Sequence, residues 1–266
     1  ARRASSTPPD AGFGAIGFVD DYLKIMLNRG QGLRAYQKFT AQAVVGLAIA
    51  FFLFYDPVNP KLGGRVAVPF FKNVFPYLSL WYIPFVLVVV TGTSNAVNLT
   101  DGLDGLALGP VLVATMAFVL FSYVAGHARF AQYLQVTHVA GAGELTVFGG
   151  AMLGASLGFL WFNSYPAQVF MGDVGALALG GALGTIAVIT RQEVALVIVG
   201  GIFVLEAVSV ILQVVSFKLT GRRIFRMAPL HHHFELKGWE EPKVVVRFFI
   251  IAIILALFSL STLKIR

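Results

Sequence analysis

Seven stretches of this 266-residue chain are long and apolar enough to cross a membrane as helices, and this limits the possible folds more than any other feature. A spanning helix needs roughly 20 mostly apolar residues. Because lipid offers the backbone no hydrogen bonds, each span must pair its own polar groups, as an α-helix does. The stretches are residues 39–55, 77–97, 105–126, 145–162, 169–190, 194–217 and 244–263. The sequence therefore predicts an all-α polytopic membrane protein, a bundle of seven full transmembrane helices.

The composition is typical of a membrane protein and not of a soluble one. Hydrophobic residues make up 57% of the chain and charged residues 12%, which is more apolar surface than one soluble core could hide. We interpret the net charge of +7 as lysines and arginines beside the membrane, attracted to anionic lipid, and not as a nucleic-acid surface. The absence of cysteine excludes disulfides and thiolate metal sites.

The start of the chain differs from the rest. Residues 1–10 are polar and contain two prolines, so they are predicted to lie outside the single transmembrane domain, residues 11–266. The apolar run that opens this domain is too short to span, and we interpret residues 11–25 as a partial helix at a truncated or altered start. The segment 127–143 is either an amphipathic surface segment or an ordinary loop.

Alternation of the spans places four polar segments on one face of the membrane. They are residues 20–38, 95–104, 163–173 and 218–243, and together they contain more lysine and arginine than the opposite loops. By the positive-inside rule this face is predicted to be cytoplasmic. Nearly all the unusual clusters of carboxylates, amides and imidazoles lie in these segments, which predicts one shared site.

Three aspartates are the main candidates for chemistry. The adjacent Asp20 and Asp21 are either a solvated pair at a helix end or a site for a hard cation or for acid–base chemistry, because close carboxylates attract divalent metals. Asp173 lies at the start of an apolar span, where a carboxylate is costly unless it is paired or binds a cation. A functional role is therefore favoured for Asp173.

Two further segments contain unusual polar residues. In residues 95–105, Asp101 and Asp104 are each followed by glycine; such turns suit a metal-bound diphosphate or the edge of a nucleotide base, although either aspartate could simply cap the next helix. The run His231–His233 could bind phosphate or transfer protons, and a zinc site is disfavoured because consecutive side chains diverge. Glu206, in the middle of a span, is interpreted as structural.

Four motifs make the chain resemble a known enzyme family. They are GFVDDYLK (17–24), NAVNLTDGLDGLA (95–107), FNSYPAQVFMGDVG (162–175) and APLHHHFELKGWEEPKVVVRF (228–248), in the family's order. From residue 12 onward the chain is similar to the phospho-N-acetylmuramoyl-pentapeptide transferases of the polyprenyl-phosphate hexose-1-phosphate transferase superfamily. The HHHFE form is typical of this branch and not of the N-acetylglucosamine-phosphate branch.

The resemblance implies a ten-helix enzyme of the bacterial inner membrane, usually a homodimer, with its active site on the cytoplasmic face. Such an enzyme transfers phospho-MurNAc-pentapeptide from UDP-MurNAc-pentapeptide to undecaprenyl phosphate, giving lipid I and UMP, with Mg²⁺ as cofactor. The family has further helices and a Thr/Gly-rich segment with a lysine before the paired aspartates, so we expect an incomplete site here. The long span ending near Thr220 would be the family's broken helix.

The resemblance also implies roles for individual residues. Asp173 would be the Mg²⁺ ligand, with Asp20 and Asp21 beside the metal and the lipid phosphate. These three aspartates and His231 form the expected catalytic set. The expected substrate-binding residues are Lys24, Lys38, Asn98, Asp101, Gly102, Leu103, Asp104, Asn163, Phe170, His232 and His233.

Two other functions are alternatives. A transferase for N-acetylglucosamine 1-phosphate would share the superfamily's chemistry but use a different sugar. A transporter would place ionisable groups at the bilayer midplane and usually show inverted repeats, and the sequence indicates neither.

Cysteine labelling tests the predicted alternation in this cysteine-free chain. Cysteines introduced at Ser164 and Gly238 are expected to react with an impermeant maleimide from the cytoplasmic side only, and one at Gly63 from the other side only. Intact cells and inside-out vesicles provide the two sides. Labelling of all three positions from one side would contradict the predicted topology.

Overall fold

The computed structural model describes residues 9–26, 32–55, 63–71 and 74–264, with side chains from residue 11 onward. Its α-helices are α1 (Pro9–Met26), α2 (Ala35–Tyr55), α3 (Tyr82–Thr100), α4 (Leu108–Gly126), α5 (Ala128–Leu134), α6 (Leu145–Asn163), α7 (Gly172–Ile189), α8 (Glu193–Val199), α9 (Gly201–Thr220), α10 (Leu230–Glu235) and α11 (Glu241–Ser261). Among the described residues the only β-type pairing is one antiparallel bridge between Arg65 and Tyr77. The predicted all-α fold is confirmed.

Within the described residues, seven helical segments are long and apolar enough to cross a membrane, the number predicted from the sequence. They are Ala35–Tyr55, Ser79–Thr100, Leu108–Gly126, Ala142–Asn163, Gly172–Ile189, Gly201–Thr220 and Glu241–Ser261. The predicted partial helix is α1, which starts slightly earlier than expected. Residues 1–8 of the predicted polar start lie outside the described part of the chain.

One predicted span is interrupted. Hydropathy predicts one span over residues 194–217, and the chain breaks within it, between α8 and α9, at Gly200. Two successive glycines, Gly200 and Gly201, lower the helix propensity there. Hydropathy alone does not show the break, because the residues on both sides of it are apolar. The break agrees with the broken helix that the family resemblance implied.

The turns before α4 exclude one interpretation of the Asp-Gly string. α4 begins at Leu108 with Ala107 as its N-cap, so neither Asp101 nor Asp104 caps it. The span therefore starts later than the sequence predicted. The segment 127–143 contains the short helix α5 and then irregular turns, so it is neither fully helical nor a simple loop.

α7 packs between α1 and α3 and determines where their polar ends lie. A side-chain carbon placed at Gly180 of α7 would overlap the backbone of Ser94 in α3. On the other side, one placed at Gly17 of α1 would overlap the backbone of Asp173. Helices in membranes pack through small residues in this way, because lipid provides no hydrophobic force between them. The close approach brings the polar ends of three helices together.

Burial separates the central helices from the outer ones. In α4 and α7, 67% and 61% of the span is buried, whereas the spans of α2, α6, α9 and α11 are only 17–28% buried. The outer helices expose large apolar side chains such as Trp161, Leu219 and Leu257. Apolar faces of this extent are stable only against lipid or another apolar surface, as expected for a membrane bundle.

A buried polar cluster lies at the end of α7 opposite Asp173. The Tyr82 hydroxyl accepts a hydrogen bond from Arg191 Nη1 at 2.5 Å and donates one to Glu193 Oε1 at 3.1 Å. Arg191 Nη1 also donates to the backbone carbonyl of Arg65 at 3.3 Å. A buried charge is costly unless it is paired. The cluster therefore joins α3 and the start of α8 to the segment around Arg65.

The Tyr82→Phe variant is expected to lower the free energy of unfolding by about 1–3 kcal/mol, because two buried charged groups lose their shared hydroxyl. A thermal melt of the detergent-solubilised protein measures the loss. Tyr133→Phe, which removes an exposed hydroxyl, is the matched control. Equal melting temperatures for both variants and the wild type would show that this hydroxyl does not stabilise the bundle.

Candidate functional site

Three carboxylates meet where the polar ends of α1 and α7 come together. Asp20 and Asp21 lie near the end of α1, and Asp173 lies in the first turn of α7. Ligand oxygens of the three residues all lie within 4.8 Å of one another. Asp20 is buried, while Asp21 and Asp173 are half-buried. Carboxylates this close repel one another unless cations lie between them.

Two lysines and an asparagine complete this aspartate cluster. The Lys24 ammonium lies 2.6 Å from Asp20 Oδ2 and 2.7 Å from Asp173 Oδ2. Lys38, in the first turn of α2, lies 2.8 Å from the same Asp173 oxygen. Asn98, near the end of α3, donates to Asp173 Oδ1 at 2.5 Å. Asp173 therefore receives donors from three different helices.

The paired aspartates differ in how fully they are engaged. Asp20 Oδ1 accepts the N–H of Leu33 at 2.6 Å, so both Asp20 oxygens have close partners. Asp21 Oδ2 accepts the N–H of Val174 at 3.2 Å, at the N-terminus of α7, where the helix dipole favours negative charge. Asp21 Oδ1 has a long contact with Lys24 at 3.4 Å. Asp21 is thus the more available of the two.

The aspartate cluster fits a hard divalent cation. Carboxylate oxygens are the ligands that Mg²⁺ and Ca²⁺ prefer, and oxygens from three residues lie close enough to share one ion. The Lys24 ammonium contacts all three aspartates, so it stands where such an ion would bind. Its side chain is 42% exposed and has room to turn outward. Asp20, Asp21 and Asp173 are the residues that would hold the ion.

Asp104 and Asn163 join loops of the site to one another. The Asp104 carboxylate accepts the N–H of Ala167 at 2.8 Å, and the Asp104 N–H donates to Glu241 Oε1 at 2.8 Å. The carbonyl oxygen of buried Asn163 accepts the N–H of Gly105 at 3.1 Å. These bonds connect the turns after α3 to the loop after α6 and to the start of α11. Both residues were expected on the substrate side, and in this structure they hold the loops in place.

Two residues of the site were not indicated by the sequence. Glu241 has no signal beyond being an acidic residue before Pro242 in the first turn of a helix, which is a common favourable charge. Gln42 is buried in an apolar span, and its carbonyl oxygen accepts a hydrogen bond from Asn95 Nδ2 at 2.7 Å. That bond joins α2 to α3 one turn from Lys38. A single polar residue within an apolar run gives no information about its partner.

The rest of the expected substrate side is only partly assembled. Phe170 is 75% exposed, so its ring face is free at the rim of the site. Leu103 is half-buried and packs against the apolar cluster that contains Val244. Gly102 is exposed, and the ring of His231 lies directly behind it. Among these residues, Phe170 and Gly102 are accessible to a ligand, whereas His231 is covered.

The other two histidines of the run make separate contacts on α10. His232 Nδ1 lies 2.6 Å from Glu235 Oε2. His233 Nδ1 accepts the N–H of Arg226 at 3.1 Å. Burial and the charges of Lys237 and Arg226 lower the pKa of His233, which favours the neutral ring that this hydrogen bond requires. The three imidazoles therefore have different polar partners, although the ring centroids of His231 and His232 lie 4.2 Å apart.

Asp101, which follows the last residue of α3, is electrostatically linked to the aspartate cluster. Burial, and then repulsion by Asp173, raise the pKa of Asp101 to about 6. A cation bound among the three aspartates would oppose that repulsion. The charge of Asp101 therefore depends on what the cluster holds.

Comparison with known proteins places these residues in a family. A family model described as glycosyl transferase family 4 matches residues 10–191, a range that includes all three aspartates of the cluster. A phospho-N-acetylmuramoyl-pentapeptide-transferase of Pelobacter propionicus is 63% identical over 255 residues, which cover 96% of this chain and 70% of that protein. Relatives with the same name from Desulforapulum autotrophicum and Geobacter sp. are 59% and 60% identical over the same shares.

The raised pKa of Asp101 predicts a pH dependence of stability. An unfolded aspartate titrates near pH ~4, and the folded one at about 6, so the folded state binds the proton more tightly. The stability contributed by this proton is present below roughly pH 4 and is lost as the pH rises to about 6.

Melting temperatures of the metal-free, detergent-solubilised protein at pH 5 and pH 7.5 test this. Asp101→Asn is expected to melt above the wild type at pH 7.5 and to show a smaller difference between the two conditions. Glu240→Gln, which neutralises an exposed carboxylate, is the control. An unchanged pH dependence in Asp101→Asn would contradict the assignment.

Proposed function

The chain belongs to glycosyl transferase family 4, and from the names of relatives that share most of its sequence we propose that it transfers phospho-MurNAc-pentapeptide from UDP-MurNAc-pentapeptide to undecaprenyl phosphate. The products are lipid I and UMP. Relatives 59–63% identical over nearly the whole chain have the corresponding name. The main structural support is the cluster of Asp20, Asp21 and Asp173 with two lysines at one end of a membrane bundle.

The reaction joins two anions, and the site is arranged to manage their charge. The acceptor phosphate oxygen attacks the phosphorus that bears the sugar, a new P–O bond forms, and the bond to UMP breaks. Mg²⁺ held by Asp20, Asp21 and Asp173 would neutralise the phosphate oxygens. Lys24 and Lys38 add two positive charges at the same place. A phosphate that binds there would contact the Lys24 and Lys38 ammonium groups that contact the aspartates in this structure.

Of the paired aspartates, Asp21 is the more accessible acceptor for a proton. Both oxygens of Asp20 have close partners and the residue is buried, whereas Asp21 is half-buried and less engaged. The second pKa of a phosphate is near ~6, so the acceptor is mostly dianionic at neutral pH and needs little help from a base. A covalent phospho-aspartate route would instead exchange labelled UMP into the donor without any acceptor.

The donor side is proposed to lie along the Asp-Gly turns. Asn98 and Asp101 border the aspartate cluster, Gly102 follows Asp101 in the same turn, and the exposed ring of Phe170 offers a stacking face for a base. Leu103, Asp104 and Asn163 shape this side from within. His231 lies behind Gly102 with His232 beside it, and His233, which accepts from Arg226, is proposed to bind the donor from α10. The family resemblance further supports a homodimer in the bacterial inner membrane with the site on the cytoplasmic face.

Two observations favour this function over the alternatives. The carboxylates of the cluster lie at helix ends, whereas a transporter would place them in the middle of the spans. The relatives also have the muramoyl name and not that of the N-acetylglucosamine enzyme. The identity of the donor sugar is therefore what most needs a direct test.

A donor panel provides that test. The chain, co-expressed with the segment that the family has before the paired aspartates and placed in lipid nanodiscs with undecaprenyl phosphate and Mg²⁺, is given radiolabelled UDP-MurNAc-pentapeptide or UDP-GlcNAc. We expect an organic-extractable product from the first donor only. Product from UDP-GlcNAc alone would support the rival transferase, and no product from either donor would count against the proposed function.

The Asp173→Asn variant is expected to retain less than about a tenth of wild-type activity at saturating Mg²⁺, because a neutral amide is a poor ligand for this ion. Product formation across a Mg²⁺ titration measures the effect, and the melting temperature confirms that the variant folds. Glu144→Gln, a carboxylate distant from the aspartate cluster, serves as control. Activity close to wild type would remove Asp173 from the metal site.

A further inference from the structure

His231 is a fully buried histidine whose ring is left without hydrogen bonds. Its exposed fraction is 0%, and among the described residues neither Nδ1 nor Nε2 has a hydrogen-bond partner. Buried polar groups are rarely left unpaired, and each exception needs a reason. Neither ring nitrogen takes part in the contacts of the aspartate cluster.

One side of the ring faces the fully buried Glu206 of α9. Its carboxylate accepts the backbone N–H of Leu230 at 2.6 Å through Oε2 and that of His231 at 3.2 Å through Oε1. The same Oε1 lies 3.3 Å from His231 Nδ1. One carboxylate thus holds the backbone of the histidine segment and approaches one side of the ring. This is a specific use for an acidic residue buried within a membrane-spanning helix.

The opposite side of the ring faces Gly102. A side-chain carbon placed at Gly102 would overlap His231 at Nε2, so the ring lies directly against this turn. Gly102 follows Asp101 in the turns proposed to bind the donor. The ring therefore lies between a buried carboxylate and the donor side, with one nitrogen facing each.

On the basis of the proposed function, we infer that Glu206 is a positioning residue for donor binding. A carboxylate accepts hydrogen bonds but cannot donate them, so Nδ1 of a neutral ring beside it bears the proton. Nε2 then has a lone pair directed at the turn that contains Asp101 and Gly102. A polar group of the sugar nucleotide, reached as this turn shifts, supplies the partner that Nε2 lacks.

Kinetics separate this role from a purely structural one. In Glu206→Gln, loss of the oriented ring is expected to raise KM for UDP-MurNAc-pentapeptide about tenfold or more. We expect kcat, and KM for undecaprenyl phosphate, to stay within about twofold of wild type. The reason is that the lost contact stabilises the donor equally in the bound ground state and in the transition state. Partial unfolding would lower the active fraction without raising the donor KM.

Two further variants complete the experiment. His231→Gln is expected to raise the donor KM to a similar extent, and the Glu206→Gln/His231→Gln pair no further, because both act through one ring. Glu193→Gln is the matched control: it removes the charge of another fully buried carboxylate, remote from the site, and should leave the donor KM unchanged. An unchanged donor KM in Glu206→Gln, or losses that multiply in the pair, would overturn the inference.

A spectroscopic measurement on the wild type provides a readout besides kinetics and needs only one variant, for assignment. In protein labelled with ¹⁵N-histidine, the His231 resonances are assigned by their loss in His231→Gln, and they report which ring nitrogen bears the proton. We expect the proton on Nδ1, and a proton on Nε2 alone would overturn the inference. If the wild type makes no lipid product from any donor, the proposed function fails instead, so the two failures are distinguishable.

Discussion

The close packing of α7 against α1 and α3 is the constraint on which the site depends. Gly17 and Gly180 let the three backbones approach to distances that no larger residue would allow. Because Asp20, Asp21, Asn98 and Asp173 lie at the ends of these helices, their separation follows from the helix packing and not from the loops. In lipid, where apolar surface alone does not hold helices together, such contacts between small residues must do so.

The electrostatic balance of the site follows from that geometry. Three aspartates brought together at a membrane boundary need positive charge, and Lys24 and Lys38 supply it in the structure. The same arrangement suits a substrate that brings a phosphate and a divalent cation, because each aspartate–lysine contact can be replaced by an aspartate–metal and a lysine–phosphate contact of the same kind. The site therefore already has lysines placed to bind an anionic ligand.

Around the aspartate cluster, several polar residues form hydrogen bonds with the backbone of neighbouring loops. Asp104, Asn163 and Glu241 tie the loops together, and Glu206 holds the segment that contains His231. Near lipid, irregular loops are tolerated only where their backbone groups find partners inside the protein. The polar residues that make these contacts provide those partners, which explains why the four loops contain so many of them.

The sequence by itself determined the membrane class, the number of spans and the grouping of the polar segments on one face. The reason is that the length and hydropathy of a segment are local properties, and they decide whether it is stable across a bilayer. It also identified the aspartates and lysines as candidates. The tertiary structure alone decided where the long apolar run breaks, that Asp104 and Asn163 bind loops, that Glu241 contacts the Asp-Gly turns and which partner each histidine faces. The physical reason is that a hydrogen bond has two partners, and residues far apart in the chain do not indicate in the sequence which of them will meet.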